Sequence, residues 1–189
     1  MARPLSEDKQ FALLAAAAEL VALQGVGAPT SQIARQAGVA EGTLFRYFAT
    51  KDDLLNQLYL HLKSELCTAL TAENLAAYSL KERAHAVWNL YIDWGLAHPL
   101  AAKALSQLHV SDKVLPETRA KAHAMFPDVS EIVGNVFAGL SQQQSTAFSE
   151  MLLGTLAETT LSFAASNPAQ SQSYKAAGFA FLWRGLAHD

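Results

Sequence analysis

Apolar residues recur at helical spacing along almost the whole of this 189-residue chain, and that period constrains its fold more than any other feature. Side chains three and four positions apart share one face of a helix, whereas a half-buried strand alternates apolar and polar side chains. No stretch of the chain reads as a convincing alternating strand. The longest apolar run covers only residues 11–18, whereas a membrane-spanning helix needs about 20 apolar residues. We therefore expect an all-α protein with no membrane span.

Composition excludes several other classes of protein. The 10 Gly and 6 Pro are too few for a collagen-like or low-complexity chain. The single cysteine, Cys67, excludes an intramolecular disulfide and a four-cysteine zinc site. Acidic side chains cancel the basic ones ahead of the first apolar run, so we expect no secretory signal. These features indicate a soluble protein of the cytoplasm.

Charge is unevenly distributed between the two ends of the chain. Residues 1–51 carry a net charge of +1 and residues 52–189 a net charge of −4, which together give −3. Phosphate attracts positive charge, so this asymmetry permits DNA contact at the N-terminal end. It is too small to predict such contact by itself.

Capping residues and glycines divide the N-terminal part into helices. Ser6 is a plausible N-cap of a first helix, which Gly25 ends. Phe11, Leu14 and Val21 fall at helical spacing and are predicted to form part of its inner face. Further along, Pro116 lies near the start of a helical pattern that extends to residue 140.

Two short helices with a glycine between them follow the first helix. Ile33 marks the inner face of the second helix, Gly38 ends it, and Val39 is predicted to point inward. A third helix runs from about residue 41 to 48, with Leu44 and Phe48 buried. The S/T-x-x-D sequence at residues 50–53 caps a long fourth helix to about residue 70. These are the parts of a helix-turn-helix, a DNA-binding motif.

The outer face of the third helix carries side chains that can reach a DNA groove. Thr43 and Tyr47 can donate hydrogen bonds to phosphates, and Arg46 can meet a phosphate or a base edge. Gly42 permits close approach to the groove. Lys51 is poorly placed for the dipole of the fourth helix, so a phosphate is its more favourable partner.

The sequence AGVAEGTLFRYFATKDDLL (residues 37–55), preceded by Ile33-Ala34, resembles the DNA-binding domain of the TetR/AcrR family of bacterial transcriptional regulators. The usual pattern there is AGVS-x-GTLYxYFxSKEELL. The resemblance implies a helix-turn-helix DNA-binding domain at residues 1–51 and a helical regulatory, ligand-binding and dimerisation domain at residues 52–189. It implies phosphate contacts for Thr30, Thr43, Tyr47 and Lys51, and positions nearest the bases for Glu41, Gly42 and Phe45.

The chain departs from the family pattern at two positions of the DNA-binding region. Ala40 replaces a serine and removes a cap from the third helix, a change that costs about 1 kcal/mol where caps have been measured. Phe45 replaces a tyrosine and removes a hydroxyl. Contact with a thymine methyl group or a sugar is then expected in place of a hydrogen bond.

Two long apolar stripes close the chain, at residues 148–163 and 174–186. Small residues along them allow helices to pack closely, so two helices from each subunit could form a four-helix dimer interface. The alternative is that these helices complete the core of their own domain. Gly178 and Gly185 either weaken the last helix or mark close packing.

Aromatic, histidine and methionine side chains of the C-terminal part could line a cavity for an apolar or amphipathic small molecule, and each is also compatible with an ordinary core. The candidate ligand-binding residues are Trp88, Tyr91, Trp94, His109, His123, Phe126 and Met151.

Catalysis and metal binding are not expected. The chain has no P-loop, dinucleotide-binding glycine motif, nucleophile elbow or HExxH motif, and we expect no cofactor. His61 and Glu65 share a helix face, but two ligands do not make a metal site.

The sequence therefore predicts a homodimeric repressor that a small-molecule inducer releases from a pseudo-palindromic DNA operator. One alternative is a DNA-binding regulator without an inducer. The other is a helical small-molecule-binding protein whose DNA-binding part no longer functions.

Overall fold

The computed structural model describes residues 6–71, 78–127 and 141–186, and the regular structure in these ranges is entirely helical. This confirms the predicted fold class. The described α-helices are α1 (Glu7–Gln24), α2 (Thr30–Gln36), α3 (Glu41–Tyr47), α4 (Lys51–Leu70), α5 (Leu80–Ala97), α6 (Pro99–His109), α7 (Pro116–His123), α8 (Gln142–Ser166) and α9 (Ser171–Leu186), with a 3-10 turn at Pro168–Gln170. None of them is long and apolar enough to cross a bilayer.

The ends of α1 follow the sequence prediction, but its predicted inner face is partly wrong. Gly25 ends the helix with a φ of +77°, a conformation that favours glycine. Leu14 and Val21 are buried as expected, whereas Phe11 is 56% exposed and Leu13 is fully buried. The helix is apolar on almost every side, so periodicity could not identify which side faces the core.

A compact unit is formed by residues 1–65 together with 99–122. In it, α1 packs against α2 and α6, and α2 packs against α3. Its core is made of leucines and other apolar side chains, including Leu13, Val21, Ile33, Leu44, Phe48, Leu54, Leu58, Leu62, Leu105 and Leu108. Three of the four predicted core residues of the helix-turn-helix are fully buried, and the fourth, Val39, is half-buried.

A second compact unit is formed by residues 66–98 together with 123–189. Within its described part, α5, α8 and α9 pack on one another around Trp88, Ile92 and Phe179. The indole nitrogen of Trp88 donates to the backbone carbonyl of Lys175 at 2.9 Å. Gly178 lies directly against Trp88, because a Cβ built there would come within 2.6 Å of the indole ring. Gly178 therefore marks close packing, one of the two alternatives that the sequence left open.

The helix predicted near Pro116 is shorter than its sequence pattern. Pro116 begins α7 as expected, but the helix ends at His123 and a turn follows it at residues 124–125. The part of the predicted helical pattern at residues 128–140 lies outside the described residues. The functional boundary predicted between residues 51 and 52 stays a prediction.

Candidate nucleic-acid interface

The turn between α2 and α3 is closed by backbone hydrogen bonds around Gly38. This glycine has a φ of +70°, in the left-handed region where side chains bearing a Cβ are strained. The N–H of Val39 donates to the carbonyl of Ala34 at 2.9 Å, and that of Gly38 donates to Arg35 at 3.1 Å. The pair is a Schellman motif, which ends α2 and redirects the chain into α3.

One face of α3 is buried and the other is open. Leu44 and, just past the helix, Phe48 are fully buried. The predicted DNA contacts lie off that buried face: Glu41, Gly42, Phe45 and Arg46 are exposed, and Thr43 and Tyr47 are half-buried. A Cβ at Gly42 would meet nothing within 4 Å, so the surface at this point is open. The helix is thus held to the core by its buried apolar face, and its opposite face presents polar and aromatic side chains to solvent.

Two of the predicted DNA contacts are bound to each other. Thr30, the first residue of α2, donates its hydroxyl proton to the Oε1 atom of Glu41, the first residue of α3, at 2.6 Å. The bond is short because its acceptor is a carboxylate. It ties together the N-termini of the two helices on the exposed side.

The hydroxyl of Tyr47 is positioned by the chain preceding α1. The backbone N–H of Ser6 donates to the Tyr47 oxygen at 3.0 Å. The predicted N-cap position of Ser6 is confirmed, but its side chain makes no capping hydrogen bond to the helix. Because the tyrosine oxygen accepts from Ser6, its own proton stays available for an acceptor such as a phosphate.

The N-terminus of α4 is capped as the sequence predicts. The Asp53 N–H donates to the Thr50 hydroxyl at 3.0 Å, and the Asp53 carboxylate accepts from the Ala49 N–H at 2.9 Å. Half-buried Lys51 begins the helix. At the start of α3, Ala40 occupies the N-cap position and makes no side-chain hydrogen bond. This absence is expected, because alanine stands where the family pattern has a serine.

The comparisons with known proteins agree with this geometry. A sequence model described as "Bacterial regulatory proteins, tetR family" matches residues 13–58, a range that contains α2, the turn and α3. A proposed TetR family transcription regulator from Shewanella sp. PV-4 matches 96% of this chain and 99% of its own, with a TM-score of 0.75 and 28% identity. The chain is thus similar to proteins of the TetR family. At the level of this family, its predicted class is confirmed: a DNA-binding transcriptional regulator and not an enzyme.

Two further relatives differ in how much of this chain they match. Nucleoid occlusion factor SlmA of Haemophilus influenzae (strain PittGG) is 27% identical over 77 residues, which cover 41% of this chain and 35% of SlmA. The match thus spans about a third of that curated relative. The TetR-like regulator LfrR of Mycobacterium smegmatis, solved in complex with proflavine, is 18% identical with a TM-score of 0.68, covers 97% of this chain and 99% of its own, and shares the fold alone.

The candidate ligand-binding residues are distributed over both compact units. His109 belongs to the first unit, where its Nδ1 lies 3.5 Å from the Tyr59 hydroxyl. The others belong to the second unit. Trp88 is a core residue there, and half-buried Tyr91 packs against the same cluster. Trp94 is buried, His123 and Phe126 are half-buried, and Met151 is 42% exposed on α8. Ligand binding by these residues stays a prediction.

Sequence reasoning missed the pairings that hold this surface in place. Ser6 and Tyr47 are 41 positions apart and Thr30 and Glu41 are 11 apart. No local pattern connects residues at such separations, because the contacts depend on how the helices pack. His61 and Glu65, which the sequence did place on one face, lie 3.4 Å apart.

Proposed function

We propose that the chain is a homodimeric transcriptional repressor whose α3 helix enters the major groove of a pseudo-palindromic operator. The observation that carries the proposal is the open face of α3, which displays polar, basic and aromatic groups while Leu44 and Phe48 bury the opposite face. This helix lies in the range that the TetR family model matches. DNA in the bacterial cytoplasm is its expected site of action.

The phosphate contacts of the proposal fall at the edges of this face. Tyr47 offers a hydroxyl proton that Ser6 leaves available, and Thr43 offers another hydroxyl. Lys51 begins α4, where the free backbone N–H groups of the first turn also favour an anion. Contacts to phosphate fix the register on the duplex, whereas sequence is read by groups nearer the bases.

A second copy of the chain is the proposed occupant of the exposed apolar face of α8 and α9. Phe148, Leu152 and Phe163 on α8 are about half exposed, and Phe181 on α9 is 74% exposed. Side chains of this size contribute roughly 1.5–3 kcal/mol each when they are buried, so two such faces stabilise a dimer. These exposed groups support dimerisation over the alternative that the stripes only complete their own core.

A small apolar or amphipathic inducer is the remaining part of the proposal. LfrR, which shares the fold, was solved in complex with proflavine. Here Tyr91, Phe126 and Met151 provide half-buried or exposed aromatic and soft surface in the second unit. An inducer releases DNA only if it binds the DNA-free arrangement of the dimer more tightly than the DNA-bound one.

A DNA-binding factor without an inducer is the second candidate. The similarity to SlmA, a nucleoid occlusion factor, favours it over a protein with a non-functional DNA-binding part. The two candidates differ in a measurable way. For an inducible repressor, a planar aromatic or long-chain amphipathic compound that acts as inducer should raise the thermal midpoint of unfolding and lower the affinity for DNA. For a DNA-binding factor without an inducer, these compounds should change neither quantity.

The test of DNA binding is fluorescence anisotropy with the duplex upstream of the protein's own coding sequence, against a scrambled duplex, over a salt series. We expect selective binding by two subunits or a multiple of two. Lys51→Ala and Tyr47→Phe should weaken binding to both duplexes, and Lys51→Ala should lower the slope of log affinity against log salt by about 1. The matched control is Lys103→Ala, an exposed lysine of α6. Unchanged affinity in Lys51→Ala and Tyr47→Phe contradicts these assignments.

A further inference from the structure

We infer that Glu41 reads a cytosine in each half-site, and that Thr30 holds the Glu41 carboxylate in position for it. This inference rests on the proposed function, because it names the base that the α3 surface selects. It also changes the role of Thr30, which the family resemblance alone assigns to a phosphate.

The charge of Glu41 is the first step of the argument. It is the acidic residue of α3, it is exposed, and it stands in the first turn. The family resemblance places this turn nearest the bases. A carboxylate among DNA phosphates is repelled unless it faces a hydrogen-bond donor. In the major groove the donors are the N4 amino group of cytosine and the N6 amino group of adenine.

The bond between Thr30 and Glu41 is the second step. A hydroxyl has one proton, and the Thr30 proton is donated to Oε1 of Glu41 at 2.6 Å. While that bond exists, Thr30 has no proton to donate to a phosphate. The bond fixes the carboxylate and leaves its second oxygen, Oε2, for a donor on a base. Thr30 is therefore a positioning residue for Glu41.

Cytosine is favoured over adenine by the atoms beside the amino group. Adenine presents the N7 acceptor next to its N6 amino group, and guanine and thymine present carbonyl or ring acceptors. Each of these acceptors repels a carboxylate. In a base pair the cytosine N4 amino group lies between a C–H group and the O6 atom of guanine, whereas the adenine N6 amino group lies between two acceptors, its own N7 and the O4 atom of thymine. A fixed carboxylate oxygen therefore meets less repulsion at cytosine.

The experiment begins with selection of sites from a random duplex library by the full-length wild type, followed by affinities for every single base-pair change in the selected site. We expect a position in each half-site where cytosine is preferred by about tenfold or more. Glu41→Gln should lose that preference or move it to adenine, since an amide pairs with adenine. Replacing the cytosine by 2-pyrimidinone, which lacks the amino group, should weaken the wild type about tenfold and leave Glu41→Gln unchanged.

Two further variants separate positioning from simple charge or phosphate contact. Thr30→Val removes only the hydroxyl and should reduce the cytosine preference, whereas Thr30→Ser should keep it. Glu19→Gln is the charge-matched control: its carboxylate accepts from the Gln36 side chain and braces α1 to α2 in the same unit. It should alter no base preference.

The outcomes distinguish this inference from the proposed function. If the wild type selects no sequence, the proposed function is wrong and the inference falls with it. If the wild type selects a site but Glu41→Gln and 2-pyrimidinone leave every preference intact, only the inference is wrong. A uniform loss of affinity in Thr30→Val, with the preference retained, returns Thr30 to a phosphate contact.

Discussion

The ammonium of Lys175 lies 2.8 Å from both carboxylate oxygens of Asp93, and this ion pair joins α9 to α5. The lysine side chain is only 5% exposed, whereas that of Asp93 is 57% exposed. The backbone carbonyl of Lys175 also accepts the Trp88 indole proton. One residue of α9 thus binds α5 through both its side chain and its backbone.

This asymmetry of burial predicts different costs for removing the two partners. Asp93→Asn leaves a buried ammonium without its counter-charge and should lower the free energy of unfolding by about 1–3 kcal/mol. Lys175→Met replaces the stem by an apolar chain of similar size and should change it by less than about 1.5 kcal/mol. Denaturant unfolding followed by tryptophan fluorescence checks this. Equal destabilisation by both variants would contradict it.

Asn56 predicts a second stability effect, in the first unit. Its side chain is buried, donates to the carbonyls of Asp52 (2.7 Å) and Lys113 (2.9 Å), and accepts from the Leu115 N–H (2.9 Å). Asn56→Ala removes a buried amide together with its three hydrogen bonds to the backbone, so we expect a loss of about 2–3 kcal/mol in denaturant unfolding.

The control for Asn56 is a second asparagine with a different environment. Asn89 is half-buried and its amide lies 3.2 Å from the ring of His85 within the same helix. Asn89→Ala should cost less than about 0.5 kcal/mol, as substitutions away from buried networks usually do. If both alanine variants unfold at the same midpoint, the loop at residues 113–115 is not held by Asn56.

The two glycines of α9 give a matched pair. At Gly178 a Cβ would lie 2.6 Å from the Trp88 ring and 2.7 Å from the Thr160 hydroxyl, so Gly178→Ala should destabilise by about 1–3 kcal/mol. At Gly185 a Cβ meets nothing within 4 Å, so Gly185→Ala should be neutral or add up to about 1 kcal/mol. Thermal unfolding at one protein concentration measures both, and a stabilised Gly178→Ala would show that α9 does not press on Trp88.

Dimerisation through α8 and α9 predicts a specific sensitivity to Phe181. Phe181→Ser removes the most exposed aromatic side chain of that face and should weaken the dimer at least about tenfold, because it deletes 1.5 kcal/mol or more of apolar burial. Sedimentation velocity across a concentration series gives the dissociation constant. Leu23→Ser, at a 67% exposed position on α1, is the control and should leave it unchanged. The reverse ranking would place the interface elsewhere.

The N-terminus of α5 predicts a pH effect. The side-chain hydroxyl and then the backbone N–H of Ser79 hold the pKa of Glu82 below its ordinary value of 4.5. The capping box therefore stabilises the folded chain fully above pH 4.5, and this contribution is lost as the pH falls through the lowered pKa. In an NMR titration of the Glu82 carboxyl carbon, Ser79→Ala should raise the pKa toward its ordinary value, because only the backbone N–H of residue 79 then remains as a donor. An unchanged midpoint would mean that Ser79 does not bind the carboxylate.

Local features of the fold were readable from the sequence. Gly25, Gly38 and the Thr50–Asp53 cap end or begin helices through groups within a few positions, so their roles follow from nearby residues. The buried positions of Leu44 and Phe48 follow from helical period beside polar neighbours. Where polar neighbours are missing, as in α1, the period did not identify the inner face, and Phe11 proved to be exposed.

The sequence by itself determined an all-helical chain similar to the TetR family, with a helix-turn-helix and a set of outward-facing candidate contacts, because these depend on residue type and local spacing. Only the tertiary structure decided that Thr30 is bound to Glu41, that Tyr47 receives the Ser6 N–H, and that Lys175 is buried against Asp93. Those pairings join residues distant in the chain. Side-chain hydrogen bonds reach only about 3 Å, so they form only after the packing of apolar faces has placed the helices.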